Sequence, residues 1–183
     1  MTNSLRIISG KYRGRSFQGE KIVGTRPTMN RVKESLFAMI QSRMKDSICL
    51  DLFAGSGSLG LEALSNGAKI CYFVDHNKIA TDIISDNIKK CSIQEECHVL
   101  KLDYLSALLY FKDRNIKFDI IFLDPPYQSC FINDCLEKVI EYNLLSEEGM
   151  IVCEYENEEI KNDVLQVWKD RTYGNKKIIV YQK

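Results

Sequence analysis

Apolar and polar residues alternate along most of the chain in blocks whose lengths suit strands and helices in turn. From residue 48 onward, short apolar runs predict five strands, at 48–53, 69–74, 97–102, 118–123 and 149–154. Amphipathic stretches between these runs predict four helices, at 58–66, 78–90, 104–113 and 131–143. Strands that alternate with helices predict an α/β fold with a mostly parallel, doubly wound sheet.

The C-terminal part of the chain departs from this alternation. Segments 164–168 and 177–181 both have strand-like composition, and a short connection around Tyr173-Gly174 separates them. Because a short connection can join only antiparallel strands, we expect a hairpin at one edge of the sheet. The predicted sheet therefore has seven strands.

The N-terminal part predicts a small β-hairpin followed by a helix. Residues 5–17 alternate around a turn that contains Gly10 and Gly14. Arg26-Pro27-Thr28 then opens the first helix, with Thr28 as its candidate N-cap.

Charge is distributed unevenly in a chain of 183 residues whose formal net charge is zero. Residues 1–45 contain ten Lys or Arg and two Glu, a net charge of +8, so the remainder carries −8. We therefore predict a basic, RNA-binding N-terminal appendage (1–45) on a catalytic domain (46–183). The alternative is a solvated basic surface, or one that docks on the acidic body.

Basic residues interleaved with an aromatic ring can neutralise phosphates and stack on a base. The side chains that we expect to contact nucleic acid are Arg6, Lys11, Tyr12, Arg13, Arg15, Arg26, Thr28 and Arg31.

Composition also argues against several classes of protein. Seven cysteines without a C-x-x-C pair, and only two histidines, argue against a zinc site, and free thiols suit a reducing compartment. The chain has neither a signal-peptide pattern nor an apolar run of membrane length. We expect a cytoplasmic protein without a metal or a membrane partner, and a monomer by default.

A glycine-rich turn and three acids suggest a ligand site at the carboxyl ends of the strands. Gly55-Ser-Gly57-Ser-Leu-Gly60 matches G-x-G-x-x-G, and Asp75 follows at a distance that suits ribose hydroxyls. Asp51, just before the loop, would repel a pyrophosphate and favour a cation. Asp103 is placed to accept an exocyclic amine, although it could equally cap a helix. An ammonium group, a ribose and an adenine occur together in S-adenosylmethionine.

The stretch Asp124-Pro-Pro-Tyr127 follows the predicted strand at 118–123. Two prolines stiffen the backbone between a carboxylate and an aromatic ring. This arrangement suits a flat amine-bearing group, which the ring would stack on while the acid accepts its N–H. On the tetrapeptide alone, an ordinary proline turn explains the sequence as well.

Taken together, these motifs resemble those of class I S-adenosylmethionine-dependent amino-methyltransferases. The N-terminal block, with Arg6-Ile-Ile-Ser-Gly-Lys-Tyr-Arg-Gly14 and Arg31-Val-Lys-Glu-Ser-Leu-Phe37, is similar to the RsmD-like family of bacterial 16S ribosomal RNA guanine-N2 methyltransferases. The resemblance covers nearly the whole chain and implies a Rossmann-like class I fold. One departure is Asp75, where many relatives have Glu.

The resemblance implies methyl transfer from S-adenosylmethionine to the N2 amine of a guanine in 16S ribosomal RNA, free or in a small-subunit assembly intermediate. The cofactor-binding residues would be Asp51, Phe53, Ala54, Gly55, Ser56, Gly57, Asp75, His76, Asp103 and Tyr104. The catalytic residues would be Asp124, Pro125, Pro126 and Tyr127.

Three other functions remain open from the residues alone. A DNA adenine-N6 methyltransferase shares the Asp-Pro-Pro-Tyr motif, but the chain lacks room for a separate sequence-reading domain. An NAD-dependent oxidoreductase could use the glycine loop, but this would leave Asp124-Pro-Pro-Tyr127 unexplained. A non-catalytic RNA-binding module is disfavoured because the acids of the predicted site are intact.

Overall fold

A computed structural model describes residues 4–19, 26–126, 131–156 and 159–183, with the backbone alone for residues 26–29. The described strands are β1 (Ser4–Arg6), β2 (Ser16–Gln18), β3 (Ile48–Asp51), β4 (Ile70–Asp75), β5 (Glu96–Lys101), β6 (Phe118–Leu123), β7 (Leu145–Tyr155), β8 (Gln166–Tyr173) and β9 (Lys176–Gln182). The described helices are α1 (Arg26–Ile40), α2 (Ser58–Ser65), α3 (Lys78–Lys90), α4 (Tyr104–Asp113) and α5 (Phe131–Glu141).

The main sheet has seven strands in the order β5-β4-β3-β6-β7-β9-β8. The first five of these pair in parallel, whereas β9 pairs antiparallel with both β7 and β8. Strands β1 and β2 form a separate antiparallel pair. The predicted doubly wound sheet, its antiparallel C-terminal hairpin and the small N-terminal hairpin are therefore confirmed.

Two hydrophobic clusters cover the two faces of the sheet, because successive strand residues point to opposite sides. In β3, Cys49 faces the first cluster and Leu50 the second, and in β6 Ile120 and Ile121 divide in the same way. Residues of α1, α2, α3 and the N-terminal hairpin complete the first cluster. Residues of α4 and α5 complete the second.

Several element boundaries differ from those that the pattern predicted, among them those of β7, β8 and α1. Strand β7 starts at Leu145, because Leu145 pairs with Phe118 and an irregularity follows before the regular register resumes at Met150. Strand β8 begins at Gln166 and continues to Tyr173. Helix α1 begins at Arg26, so residue 28 lies inside the helix and the N-cap prediction for it is wrong.

The N-terminal hairpin packs into the main body. Ile7 and Phe17 belong to the same buried cluster as Val32 of α1 and Ile84 of α3. Division of the chain at residue 45 stays a prediction, but the first hydrophobic cluster crosses that boundary without interruption.

The turn of this hairpin makes a close backbone contact with the end of α2. Gly10 has a φ of +76°, and a Cβ atom there would lie 1.9 Å from the carbonyl oxygen of Ser65. Lys11 N–H donates to the same carbonyl at 2.7 Å. Gly14 also has a positive φ, +85°, but a Cβ there would meet nothing within 4 Å.

Gly10→Ala should therefore destabilise the fold more than Gly14→Ala, although both place alanine in left-handed backbone. Because the turn must move away from Ser65 in the first variant alone, we expect its free energy of unfolding to fall by about 1–3 kcal/mol more than in the second. Urea denaturation followed by circular dichroism measures the difference. Equal losses in the two variants would mean that the turn does not depend on this contact.

Candidate functional site

The carboxyl ends of the parallel strands bring the predicted acids to one edge of the sheet. Asp51 ends β3 and Asp75 ends the neighbouring β4, while Asp124 directly follows β6 on the other side of β3. Strand order reverses between β3 and β6, and such switch points are where open α/β sheets bind ligands. The glycine loop, between β3 and α2, lies at this edge.

Asp51 is a buried carboxyl group with little compensation for its charge. Its side chain is 1% exposed, and its Oδ2 accepts a hydrogen bond of 3.0 Å from Gly60 N–H. Burial is the main cause that raises the pKa of Asp51 to about 7; the nearby Asp75 contributes to this rise, and the hydrogen bond from Gly60 opposes it. A cation bound beside Asp51 would favour its ionised form.

The glycine loop is held in shape by Asp75. Gly55 and Gly57 have φ values of +52° and +82°, a conformation that glycine adopts without strain. Gly55 N–H donates to Asp75 Oδ2 at 2.9 Å, and Asn77 N–H donates to Asp75 Oδ1 at 2.8 Å. Gly60 has a packing role, because a Cβ there would lie 2.2 Å from the ring of Phe73.

The remaining predicted cofactor residues surround this loop. Asp103 caps α4, since its carboxylate accepts from both Ser106 N–H at 3.0 Å and Ser106 Oγ at 2.6 Å. These hydrogen bonds lower the pKa of Asp103. Phe53 and Tyr104 lie with their ring centroids 5.8 Å apart, and His76 is exposed. Ala54 and Ser56 are buried within the loop itself.

On the other side of the switch point, Asp124 is half-buried, Pro125 is buried and Pro126 is exposed. The predicted stacking residue Tyr127 lies outside the described residues.

The predicted nucleic-acid residues fall into two groups. Since α2 runs back from the carboxyl edge, its last residue, Ser65, lies about 10 Å from that edge. The turn with Lys11, Arg13 and Arg15 packs near this far end of α2. Arg6, in contrast, is exposed in β1, and its carbonyl oxygen accepts from the same Lys33 Nζ that donates to Ser58 at the start of α2. Arg31 is exposed on α1.

Most of the turn residues have partners within the protein. Lys11 Nζ forms an ion pair of 2.9 Å with Glu95, which raises the pKa of Lys11 together with its contact to Tyr12. Arg15 donates to the carbonyl oxygens of Cys91 and Ser92, whereas the exposed side chain of Arg13 has no partner within the described part of the chain. For Arg26 and Thr28 only the backbone is described, in α1.

The prediction that Tyr12 stacks on a base is wrong for this conformation. The side chain is 2% exposed because its ring lies in the first hydrophobic cluster. Its hydroxyl donates to Glu95 at 2.7 Å and accepts from Gln94 N–H at 3.1 Å. Tyr12 therefore fixes the turn to the start of β5.

Comparison with protein families gives a match over almost the whole chain. The family model described as Conserved hypothetical protein 95 covers residues 5–182. The chain belongs to this family. The match confirms the resemblance to RsmD-like proteins, because curated relatives of this chain carry the name ribosomal RNA small subunit methyltransferase D.

Two relatives of the RsmD family illustrate the match. YlbH of Bacillus subtilis is 39% identical over 183 residues, which are 98% of this chain and 99% of that protein. Ribosomal RNA small subunit methyltransferase D of Haemophilus influenzae is 35% identical over 182 residues, which are 97% of this chain and 93% of that protein.

Solved structures agree with the fold. The Escherichia coli methyltransferase-family protein yhhF superimposes with a TM-score of 0.85 at 26% identity, over 99% of this chain and 98% of that one. SMU.776, which was solved in complex with SAH, has a TM-score of 0.77 at 15% identity and covers 93% of this chain and 54% of that one. At 15% identity, the likeness to SMU.776 shows only that the two chains share a fold.

Sequence reasoning missed two features at the site of this RsmD-family chain. Phe131 of α5 stacks parallel to Phe53, with centroids 6.1 Å apart, and a lone Phe at a helix start carried no signal for this. The register of β6 and β7 pairs Leu123 with Cys153, so the next residue, Glu154, lies beside Asp124. Glu154, a carboxylate at the end of an apolar run, forms an ion pair with Lys176.

The described residues contain neither a candidate metal site nor a candidate membrane-spanning helix. Within residues 4–19, 26–126, 131–156 and 159–183, no group of His, Cys, Asp and Glu is arranged to hold a metal ion. No helix in the same ranges combines the length and the hydrophobicity that crossing a bilayer requires.

The raised pKa of Asp51 predicts a specific pH dependence of stability. Unfolding lowers the pKa from about 7 to 3.8, so between these values the folded state holds a proton that the unfolded state lacks, and stability falls as pH rises. Asp51→Asn keeps an oxygen that can accept from Gly60 N–H but cannot ionise. At pH 8 we expect this variant to be more stable than the original chain by on the order of 1–4 kcal/mol, with a smaller difference at pH 4.

Urea denaturation at pH 4, 6 and 8 measures this difference, and Asp86→Asn, on the exposed surface of α3, is the control for loss of a carboxylate. Asp51→Asn should at the same time weaken binding of S-adenosylmethionine, which calorimetry records. If Asp51→Asn gains less stability over the original chain at pH 8 than at pH 4, the raised pKa of Asp51 is contradicted.

Proposed function

We propose that this RsmD-family chain transfers a methyl group from S-adenosylmethionine to the exocyclic N2 amine of a guanine in 16S ribosomal RNA. That the protein is an S-adenosylmethionine-dependent rRNA methyltransferase follows from its family and its relatives. The choice of guanine N2 rests on the resemblance to the RsmD-like family. One observation carries the proposal: a buried acid beside a glycine loop, and a second acid on a proline-stiffened turn, lie on adjacent strands at the switch point.

The buried acid fits a cationic cofactor. Asp51 has one hydrogen bond from Gly60 N–H at 3.0 Å and otherwise a desolvated environment, so an ammonium group beside it would stabilise its ionised form. We assign the glycine loop to the amino-acid part of the cofactor, Asp75 to the ribose, and Phe53 and Tyr104 to the adenine side. When bound there, S-adenosylmethionine supplies a methyl group on positively charged sulfur.

The chain's own task at the acceptor is to hold an amine whose lone pair is delocalised into the ring. Asp124 and the carbonyl oxygen of Pro125 would each accept one N–H of this amine and so direct its lone pair. The nitrogen gains the methyl carbon as the bond from that carbon to sulfur breaks, and the electron pair of this bond stays on the sulfur, which leaves as a neutral thioether. The nitrogen then loses one proton, to Asp124 or to water. Asp124 need not be a strong base, because the proton leaves after the new bond has formed.

RNA must present the base unstacked, since the amine is otherwise inaccessible. We assign the phosphates nearest the target to Arg6, whose carbonyl oxygen is joined through Lys33 to the start of α2, and to Arg31, which is exposed on α1. Arg13, about one length of α2 away, would contact more distant phosphates. Residues 1–45 thus form the proposed RNA-binding segment, although their described part packs against the main body.

Asp124→Ala should abolish methyl transfer and leave cofactor binding intact, because Asp124 contacts the acceptor and Asp51 the donor. The measurement is mass analysis of nucleosides from small-subunit particles or 16S RNA after incubation with S-adenosylmethionine, with N2-methylguanine as the expected product. Thermal shift with S-adenosylhomocysteine records cofactor binding.

The matched control is Asp113→Ala, at the exposed end of α4. Full activity of Asp124→Ala would refute the mechanism, and methylation at adenine N6 by the unchanged chain would refute the choice of acceptor. Stabilisation by NAD in place of S-adenosylhomocysteine would instead favour an oxidoreductase.

Replacement of Arg6 and Arg31 by alanine should weaken RNA binding and lower its salt dependence. Each lost phosphate contact should reduce the slope of log K against log salt concentration by about 0.7–0.9. Filter binding of unmodified 16S RNA between 50 and 200 mM salt, roughly the range in which such contacts dominate, measures the slope.

Arg114→Ala removes an exposed arginine from the end of α4, on the opposite face of the sheet, and serves as the control. If the double variant and the control have the same slope as the original chain, Arg6 and Arg31 form a solvated surface and the RNA path lies elsewhere.

A further inference from the structure

Lys33 is a buried lysine that connects three elements of the protein. It lies in α1 and is 8% exposed, and its Nζ donates to Ser58 Oγ at 3.1 Å and to the carbonyl oxygen of Arg6 at 3.4 Å. The same Nζ forms an ion pair of 3.1 Å with Glu62. Ser58 is the first residue of α2 and follows the glycine loop directly.

Glu62 is completely buried and receives the N-terminal segment as well as Lys33. Its carboxylate accepts from Ile8 N–H at 3.1 Å, from Ser9 N–H at 2.7 Å and from Ser9 Oγ at 2.8 Å. A charge without a partner at this buried position would be strongly destabilising. Lys33 and the N-terminal segment therefore cannot leave Glu62 one without the other. Burial lowers the pKa of Lys33, and the carboxylate of Glu62 opposes this.

The same N-terminal segment also holds the other end of α2. Lys11 N–H donates to the carbonyl oxygen of Ser65 at 2.7 Å, and Tyr12 N–H donates to Ser65 Oγ at 2.9 Å. Residues 8–12 therefore contact α2 at Glu62 and at its last residue, Ser65, and Lys33 adds the contact with Ser58 in its first turn. A displacement of this segment must be transmitted to α2 and to the loop that precedes it.

The two arginines assigned to RNA belong to the two segments that meet at Lys33, β1 and α1. The carbonyl oxygen of Arg6 accepts from Lys33, while its side chain is exposed. Arg31 is exposed on α1, two positions before Lys33. Phosphates bound at these side chains would thus act on the two backbone segments that hold Lys33 in place.

We propose that Lys33 is a positioning residue that couples RNA binding to cofactor binding, by linking the segments that carry Arg6 and Arg31 to the start of α2. The inference rests on the proposed function, since it assumes that RNA binds these arginines and the cofactor the glycine loop. Coupling between two binding sites is reciprocal, so RNA should tighten cofactor binding by the same factor as the cofactor tightens RNA binding.

The test measures the dissociation constant of S-adenosylhomocysteine by calorimetry with and without saturating unmodified 16S RNA. For the unchanged chain we expect a ratio of at least about 5. Lys33→Met keeps the length of the side chain without its charge or hydrogen bonds, and the ratio should fall below about 2. Lys117→Met, at an exposed position just before β6 and outside both proposed sites, is the matched control and should keep the original ratio.

Ser58→Ala provides a second variant that keeps the ion pair, and therefore the fold, if Lys33→Met does not fold. It removes only the hydrogen bond from Lys33 to the first residue of α2, next to the glycine loop, and its ratio should be intermediate or close to 1. A ratio unchanged in the folded variants, or a ratio of 1 in the original chain, would overturn the proposal. Absence of methylated guanine in 16S RNA would instead refute the proposed function, and that result is read from product analysis alone.

Discussion

A carboxylate leaves water only at a large cost in free energy, and this constraint organises both halves of the molecule. Two acids are almost completely buried around α2, Glu62 at 0% exposure and Asp51 at 1%. Glu62 is surrounded by a lysine and by N–H and O–H donors from the N-terminal segment, so its charge is compensated within the chain. Asp51 receives a hydrogen bond from Gly60 and has no cation among the described residues.

The difference between these two environments separates a structural acid from the acid that we propose binds the cofactor. Glu62 holds the basic segment against the body, which explains why the first hydrophobic cluster runs across residue 45 without a break. Asp51 has the properties of a group whose charge is completed by a ligand, and S-adenosylmethionine carries positive charge on both its ammonium and its sulfur. Helix α2 therefore contains Glu62, an acid whose charge is compensated, and lies with its first turn next to Asp51, an acid whose charge is not.

Much of this arrangement is encoded locally. Apolar runs that alternate with amphipathic stretches were sufficient to predict the seven-stranded sheet. Asp51, Asp75 and Asp124 each lie at a strand end because each follows an apolar run. The partners of Glu62 in the N-terminal segment and the burial of Tyr12 were not predictable, since they join residues more than 50 positions apart. The local sequence pattern of basic residues around Tyr12 is the same whether the tyrosine ring faces RNA or packs in a hydrophobic core.

The order of strands in the sheet has a consequence for synthesis of the protein. Strand β9 is made after β8, yet it lies inside the sheet between β7 and β8. While β9 is still inside the ribosome, β7 has an unpaired edge and Val152 lacks its partner Val180. The sheet can therefore close only once β9 has emerged from the ribosome, a machine of the kind whose RNA the relatives of this chain are named for modifying.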